Sequence, residues 1–368
     1  MMTRTTMDTK KRHAAIIGAS GYTGGELFRL LSQHPEISIT VVSSSEKTAG
    51  QPLTTIFPHL ESLTTLSLVP LDIQAIAQQA DIIFLALPHT QSLHPVAKFH
   101  ELNKLVIDLS ADYRLDDPRT YEHYYDVSHP FSSLLQEAVY GLPELHRTAL
   151  QQTRLIAVPG CYPTAAILQL APLLANGLID PSTIIIDAKS GISGAGRGAN
   201  LAYHFPEAHE SIHAYKIGMH RHISEIEQEL TKFSKNYSTI NQKPTDTKHS
   251  ILFTPHLVPM NRGILSTAYA KVKPDFLVRD WIALYKDFYK NESCIRIFQH
   301  PHQVTPSHVR GTNFCDLSIT HDPRTEHIIT VAALDNLVKG AAGQAIQAMN
   351  VALGFPENLG LTAPGLYP

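Results

Sequence analysis

The chain has 368 residues, 43% hydrophobic and 17% charged, with a formal net charge of −3. That length exceeds one ordinary core and predicts two domains of a globular protein, while the near-neutral balance excludes a basic field for nucleic acid or anionic lipid. No apolar run reaches the length of a membrane span, no secretory core segment opens the chain, and three widely spaced cysteines point to a reducing compartment, with cytoplasm as the expectation.

His13–Ile17 reads as a short apolar strand and Gly18-Ala19-Ser20-Gly21-Tyr22-Thr23-Gly24 as a tight turn after it. Gly25–Leu31 then has helical spacing, and Ile37–Val42 gives a second strand, completing a βαβ unit of the length that dinucleotide binding needs. Glycines there let the backbone approach a pyrophosphate resting on the helix N-terminus, although the spacing is GxxGxxG rather than GxGxxG, and a glycine-rich turn of another α/β domain reads the same way. The second strand runs into Ser43-Ser44-Ser45 with Lys47 behind, where a free ribose would call for Asp or Glu; hydroxyls and a cation suit a 2′-phosphate, so NADP is favoured over NAD, with Glu46 against it.

Ala80–Leu87 and Lys104–Asp108 are further buried strands, the first ending at Pro88-His89 and the second leading into Leu109–Leu115. Alternation of such strands with helices as far as Val158 predicts a doubly wound parallel sheet, with ligands outside the strand C-termini. Leu155–Val158 stops at Pro159-Gly160, and a helix follows in which Pro163 suits the first turn. Cys161 falls between strand end and helix start, where free N–H groups and the helix dipole favour a thiolate nucleophile and would hold an oxyanion. The competing reading is a small buried residue.

The rhythm then changes. A strand at Thr183–Ala188 feeds a second glycine loop, Ser190–Gly198; a helix opens near His220-Arg221-His222; strand-like runs follow at Ile251–Met260, Gly263–Val272, Cys294–Phe298, Asn313–Ile319 and Ile328–Leu334, with a helix around Asp275–Tyr289. Few crossover helices predict an α+β second domain with a largely antiparallel sheet. Polar Lys235–Ser250 reads as a surface loop, and the small-residue helix Leu337–Met349 as one that returns to the first domain. The expected division is residues 1–160 with 335–368, and 161–334 as a catalytic and dimerisation domain. Cys294 and Cys315 sit in strand patterns and read as core. Two histidines two apart at a helix start should point in different directions, with one facing Cys161. Arg114 and Arg197 lie in ligand-side loops where a guanidinium would clamp carboxylate or phosphate, or be paired structurally. No His, Cys or Glu group shows a metal-ligand spacing, so no metal is expected.

Taken together, GASGYTGGEL, LSADYRL, VPGCYPTAA, SGISGAGR, HRHISEIEQEL and DNLVKGAAGQA resemble the N-acetyl-γ-glutamyl-phosphate reductase family, within the wider aspartate-semialdehyde dehydrogenase group, over nearly the whole chain. The resemblance implies NADPH-dependent reduction of an acyl phosphate to an aldehyde through a cysteine thioester, in arginine biosynthesis, with a small-molecule substrate and a homodimer or homotetramer. By motif it implies Cys161 as nucleophile and His220 as acid/base. Gly18, Ser20, Gly21, Tyr22, Thr23 and Gly24 match the phosphate-binding turn, and Ser193, Gly194 and Asn336 match positions lining the cofactor. His222, Arg114 and Arg197 are then the candidate substrate contacts. Other readings are a relative acting on aspartyl phosphate or a carrier-bound substrate, a cysteine hydrolase or acyltransferase, and a non-catalytic NADP-binding protein.

Overall fold

The computed structural model describes residues 11–240, 249–274 and 280–366. Aliphatic runs without a polar face are stable only in a sheet covered on both sides. Here β1 (Arg12–Ile17), β2 (Ile37–Ser43), β3 (Ile82–Leu85), β4 (Leu105–Asp108), β5 (Val139–Tyr140) and β6 (Leu155–Ala157) pair in parallel, in the order β2-β1-β3-β4-β6-β5. The connections carry α1 (Tyr22–Leu31), α2 (Leu53–Ile56), α3 (Ile73–Gln79), α4 (Leu93–Glu101), α5 (Pro118–Tyr125) and α6 (Pro143–Leu150). Strand order reverses at β1, between β2 and β3, and a crevice opens beyond their C-terminal ends.

From the end of β6 the chain enters α7 (Cys161–Ala175), in which every residue from Tyr162 to Leu174 is buried. Its leucines and isoleucine join the core of a second sheet, each contributing roughly 1.5–3 kcal/mol by burial. Cys161 therefore stands at a junction, its turn belonging to the parallel sheet and its helix to the second one.

That second sheet holds β7 (Ile185–Gly191), β8 (His213–Ala214), β9 (Leu252–Val258), β10 (Ile264–Lys271), β11 (Ile295–Ile297), β12 (Cys315–Asp322) and β13 (His327–Leu334), ordered β11-β12-β13-β10-β7-β9-β8. It is mixed, with β7–β9 and β11–β12 parallel and the other four pairings antiparallel. α8 (Phe205–Ala208) is a single turn; α9 (His222–Ile240) and α10 (Trp281–Phe288) contribute, with α7, to the core on one face. Alternate residues of β10 are buried, as a sheet with one covered face requires. Cys294 and Cys315 are buried in this half.

The polar stretch from Lys235 differs from expectation, because α9 continues to Ile240. A buried face at Ile223, Ile226 and Leu230 anchors the first part of the helix, and backbone hydrogen bonds propagate it through residues with no apolar pattern. Residues 241–248 lie outside the described residues, as do 275–279, ahead of α10. The last helical segment opens with a π-helical turn at Val338–Ala342 and continues as α11 (Gly343–Ala352). Its small residues pack with Ala14, Leu27 and Phe28 of the parallel-sheet half.

Candidate active site

A cleft of about 1410 Å³ lies between the two sheets, and fifteen of the sixteen site residues expected from the sequence line it; Gly24 stands just behind. Gly18 adopts φ +82°, and a Cβ there would lie 2.4 Å from the Ala86 carbonyl oxygen, so only glycine lets the turn come this close to β3. A Cβ at Gly24 would likewise meet the Gly18 carbonyl oxygen at 2.4 Å. The Gly18 and Ala19 N–H groups both donate to the Ser43 carbonyl at 2.9 Å, fixing the turn on the end of β2. No side chain caps α1, so its first turn presents backbone donors and positive dipole to an anion in the cleft.

At the end of β2 the Ser43 hydroxyl is buried without a partner, and Ser44 accepts from Thr48 at 2.8 Å. Lys47 lines the cleft beside them, whereas Glu46 does not. This donor set suits a 2′-phosphate. Across the cleft the Asn336 amide donates to Ser193 Oγ at 2.9 Å and accepts from the Gly263 N–H at 2.7 Å, holding the Ser193-Gly194 loop over the central part. The residues present therefore fit a dinucleotide that carries a 2′-phosphate.

Cys161 is the first residue of α7, half-buried on the cleft floor, with Gly160 as N-cap. The π-helical turn backs it, because a Cβ at Gly340 would lie 2.8 Å from the Cys161 Cβ. Burial pushes the thiol up to about 11, opposed by the Tyr162 backbone N–H and the Arg114 charge. This corrects the expectation of a ready thiolate. The helix terminus acts in the expected direction, but desolvation outweighs it in the free protein.

His220 and His222 both face the cleft, with ring centroids 4.7 Å apart and each ring edge-on to Tyr162. The expectation that they diverge fails because α9 starts at His222, leaving His220 in the preceding turn, where helical spacing does not apply. His220 Nδ1 accepts the His222 N–H at 3.1 Å, so the neutral ring carries its proton on Nε2. Burial, with the Lys216 and Arg221 charges, lowers His220 to about 4. Burial and the His220 ring push His222 well down, and its Nδ1 is buried without a partner.

The two arginines differ from a simple clamp. Arg114 is buried and turned inward, donating to the Val158 carbonyl at 2.7 Å, the Leu109 carbonyl at 2.9 Å and Glu225 at 3.2 Å. Arg197 donates to the Ser20 carbonyl at 3.1 Å and lies over the Phe57 ring, in the half of the cleft formed by the glycine turn. The sequence reading gave no role to Glu225, Gly340, Lys216, Arg221 or Tyr215; Glu225 alone had a local signal, three residues beyond His222 on the same helical face. His89 had been placed on the ligand side, and burial followed by the Arg114 charge lowers it to about 3.

Residues 13–153 match the family model for the semialdehyde dehydrogenase NAD binding domain, and residues 161–336 match that for the semialdehyde dehydrogenase dimerisation domain. The N-acetyl-γ-glutamyl-phosphate reductase of Geotalea daltonii is 50% identical over 96% of this chain and 99% of its own. The chain belongs to the N-acetyl-γ-glutamyl-phosphate reductase family. Another member of that family, from Desulforamulus reducens, is 45% identical over 96% of this chain and 99% of its own. Among solved structures, aspartate semialdehyde dehydrogenase with NADP from Candida albicans superposes with a TM-score of 0.69 at 16% identity, covering 95% of this chain and 100% of the other. The Vibrio cholerae aspartate semialdehyde dehydrogenase II complexed with ASA gives 0.67 at 16%, covering 94% and 99%. At that identity the likeness is one of fold.

Proposed function

We infer that this reductase converts N-acetyl-γ-glutamyl phosphate to N-acetylglutamate 5-semialdehyde and phosphate with NADPH, a step of arginine biosynthesis, through a thioester on Cys161. One observation carries the reading: a cysteine at a helix N-terminus opens onto the same cleft as a glycine turn and a serine-lysine pocket.

Sulfur attacks the acyl carbon, the S–C bond forms and the C–O bond to phosphate breaks; the thiol proton leaves with the phosphate, so the step balances without a prior thiolate. N–H groups at the start of α7 hold the negative oxygen that develops on the acyl carbon. The glycine turn would hold the pyrophosphate of NADPH, Ser43, Ser44 and Lys47 would hold its 2′-phosphate, and Ser193, Gly194 and Asn336 would flank its nicotinamide end; the bound cofactor would supply the hydride that reduces the thioester. His220 presents Nε2–H to the cleft and hydrogen-bonds the oxyanion of the resulting thiohemiacetal; as the carbonyl re-forms the S–C bond breaks, sulfur leaves as thiolate, and one proton taken up from solvent restores the thiol while His220 stays neutral. Lys216 and Arg221 make this end of the cleft cationic, which suits a substrate with a carboxylate and a phosphate.

The division at residues 160 and 161, with the segment from 335 onward completing the cofactor half, belongs to the same proposal. A second copy covers the open face of the mixed sheet, where Ile185 and Leu252 are 42% and 53% exposed. Among the described residues no helix is long and apolar enough to cross a membrane, and we place the enzyme in the cytoplasm as a homo-oligomer. The deciding experiment follows NADP reduction by nicotinamide absorbance with N-acetylglutamate semialdehyde and phosphate. Turnover with aspartate semialdehyde instead, or none with either, overturns the assignment.

A further inference from the structure

We propose that Glu225 and Arg114 form a charge-neutral brace that fixes the turn carrying Cys161 to the helix start carrying His220 and His222, making both positioning residues rather than substrate contacts. The proposal rests on Cys161 being the nucleophile and adds what holds it. Glu225 lies in the first turn of α9 and is buried. One carboxylate oxygen accepts the Gly160 N–H at 2.8 Å and the Tyr140 hydroxyl at 2.6 Å; the other accepts Arg114 Nη1 at 3.2 Å. Arg114 in turn donates Nε–H to the Val158 carbonyl at 2.7 Å and Nη2 to the Leu109 carbonyl at 2.9 Å. The turn from Val158 to Cys161 is thus held by its carbonyl from Arg114 and by its N–H from Glu225. Nucleophile and histidines come from segments about 60 residues apart, and this pair directly ties the two backbones (60 being the order of the sequence gap that loop closure must span). Charge-assisted hydrogen bonds are the stronger kind, and three of them meet on the Glu225 carboxylate.

The brace also acts on the sulfur. Around Cys161 stand Arg114, Glu225, Tyr162, Tyr215 and the two histidines, while Lys339 of the π-helical turn pairs away from it with Glu144. Arg114 favours the thiolate and Glu225 opposes it. Removing the carboxylate charge leaves the guanidinium uncompensated, so the thiol pKa must fall even as the turn loosens. A side chain that merely filled space would not do this.

The test uses the full chain with three variants: Glu225→Gln, Glu225→Asp and Tyr140→Phe. Iodoacetamide alkylation of Cys161 across pH, with the modified residue located by mass spectrometry, reads the thiol; acyl-phosphate reduction and NADPH binding are measured in parallel. Glu225→Gln is expected to lower the alkylation midpoint by about one pH unit and kcat by about 100-fold, with NADPH affinity within about twofold of wild type. Glu225→Asp keeps the charge but shortens the reach by one methylene, so kcat falls while the midpoint stays. Tyr140→Phe keeps both charges and loses a several-fold factor in kcat alone, and it decides the matter with Glu225→Asp if Glu225→Gln does not fold. An unchanged or raised midpoint in Glu225→Gln, or kcat unchanged in both Glu225 variants, overturns the brace. Wild-type protein that still reduces acyl phosphate after complete alkylation of Cys161 would sink the nucleophile assignment instead, a distinguishable failure.

Discussion

Gly340→Ala tests how tightly the nucleophile is held. A methyl group at position 340 would lie 2.8 Å from the Cys161 Cβ, 3.2 Å from its Cα and 3.2 Å from Leu334 Cδ1. Carbon atoms settle at about 3.5–4.0 Å, so the contact is short by about 1 Å. Two of the three atoms belong to the first residue of a helix whose body is buried, and they cannot rotate away. Relief must come from displacing Cys161 or unwinding the π-helical turn. Overpacking of this kind costs about 1–3 kcal/mol of stability, and a misplacement of about 1 Å at a reacting atom costs about 100-fold in rate. The glycine turn is untouched, so NADPH affinity should stay within about threefold. Steady-state acyl-phosphate reduction, NADPH fluorescence titration and a denaturant melt measure the three quantities. A folded Gly340→Ala protein with kcat within twofold of wild type would refute the claim that this backbone contact sets the position of the sulfur.

Cys161→Ser should abolish aldehyde formation while NADPH still binds by titration; retained turnover would rule out a thioester. In the free enzyme the thiol, raised by burial to about 11, is protonated at neutral pH, so its alkylation rate should climb until pH passes about 11 rather than level off near 8.5. His220 is lowered to about 4 and is therefore neutral at physiological pH; its contribution to the rate of turnover should show no break near 6.5, falling only as acidity approaches its own pKa, while His220→Asn slows turnover at every pH. Lys47→Glu should weaken NADPH binding by about tenfold or more and leave NADH binding nearly unchanged, since only the 2′-phosphate meets the new charge. Lys339 is fully buried against Glu144 and Gln347, so Lys339→Met leaves a buried carboxylate unpaired and should cost about 3–5 kcal/mol in urea unfolding.

The parallel sheet, the glycine turn, Cys161 at a helix start and the strands of the second sheet were legible because each is written in consecutive residues. Apolar runs, glycine spacing and a strand stopped by Pro159-Gly160 are local signals, and local sterics enforce them. Sequence could also nominate His220 and Asn336, since short motifs carry them. It could not show that His220 precedes its helix, that both rings turn to one cleft, or that Arg114 faces inward. Those facts depend on Glu225, Gly340 and Val158 arriving from separate parts of the chain.

The amino-acid order alone therefore determined which groups the chemistry has available: a thiol, an imidazole, backbone donors at helix starts, hydroxyls and a lysine for a phosphate. Only tertiary structure decided their states. Desolvation at the junction of two sheets keeps the proton on sulfur, and a backbone N–H at His222 places the His220 proton on Nε2. Protonation and orientation follow from what surrounds a group in space, and neighbours in space are set by packing rather than by position along the chain.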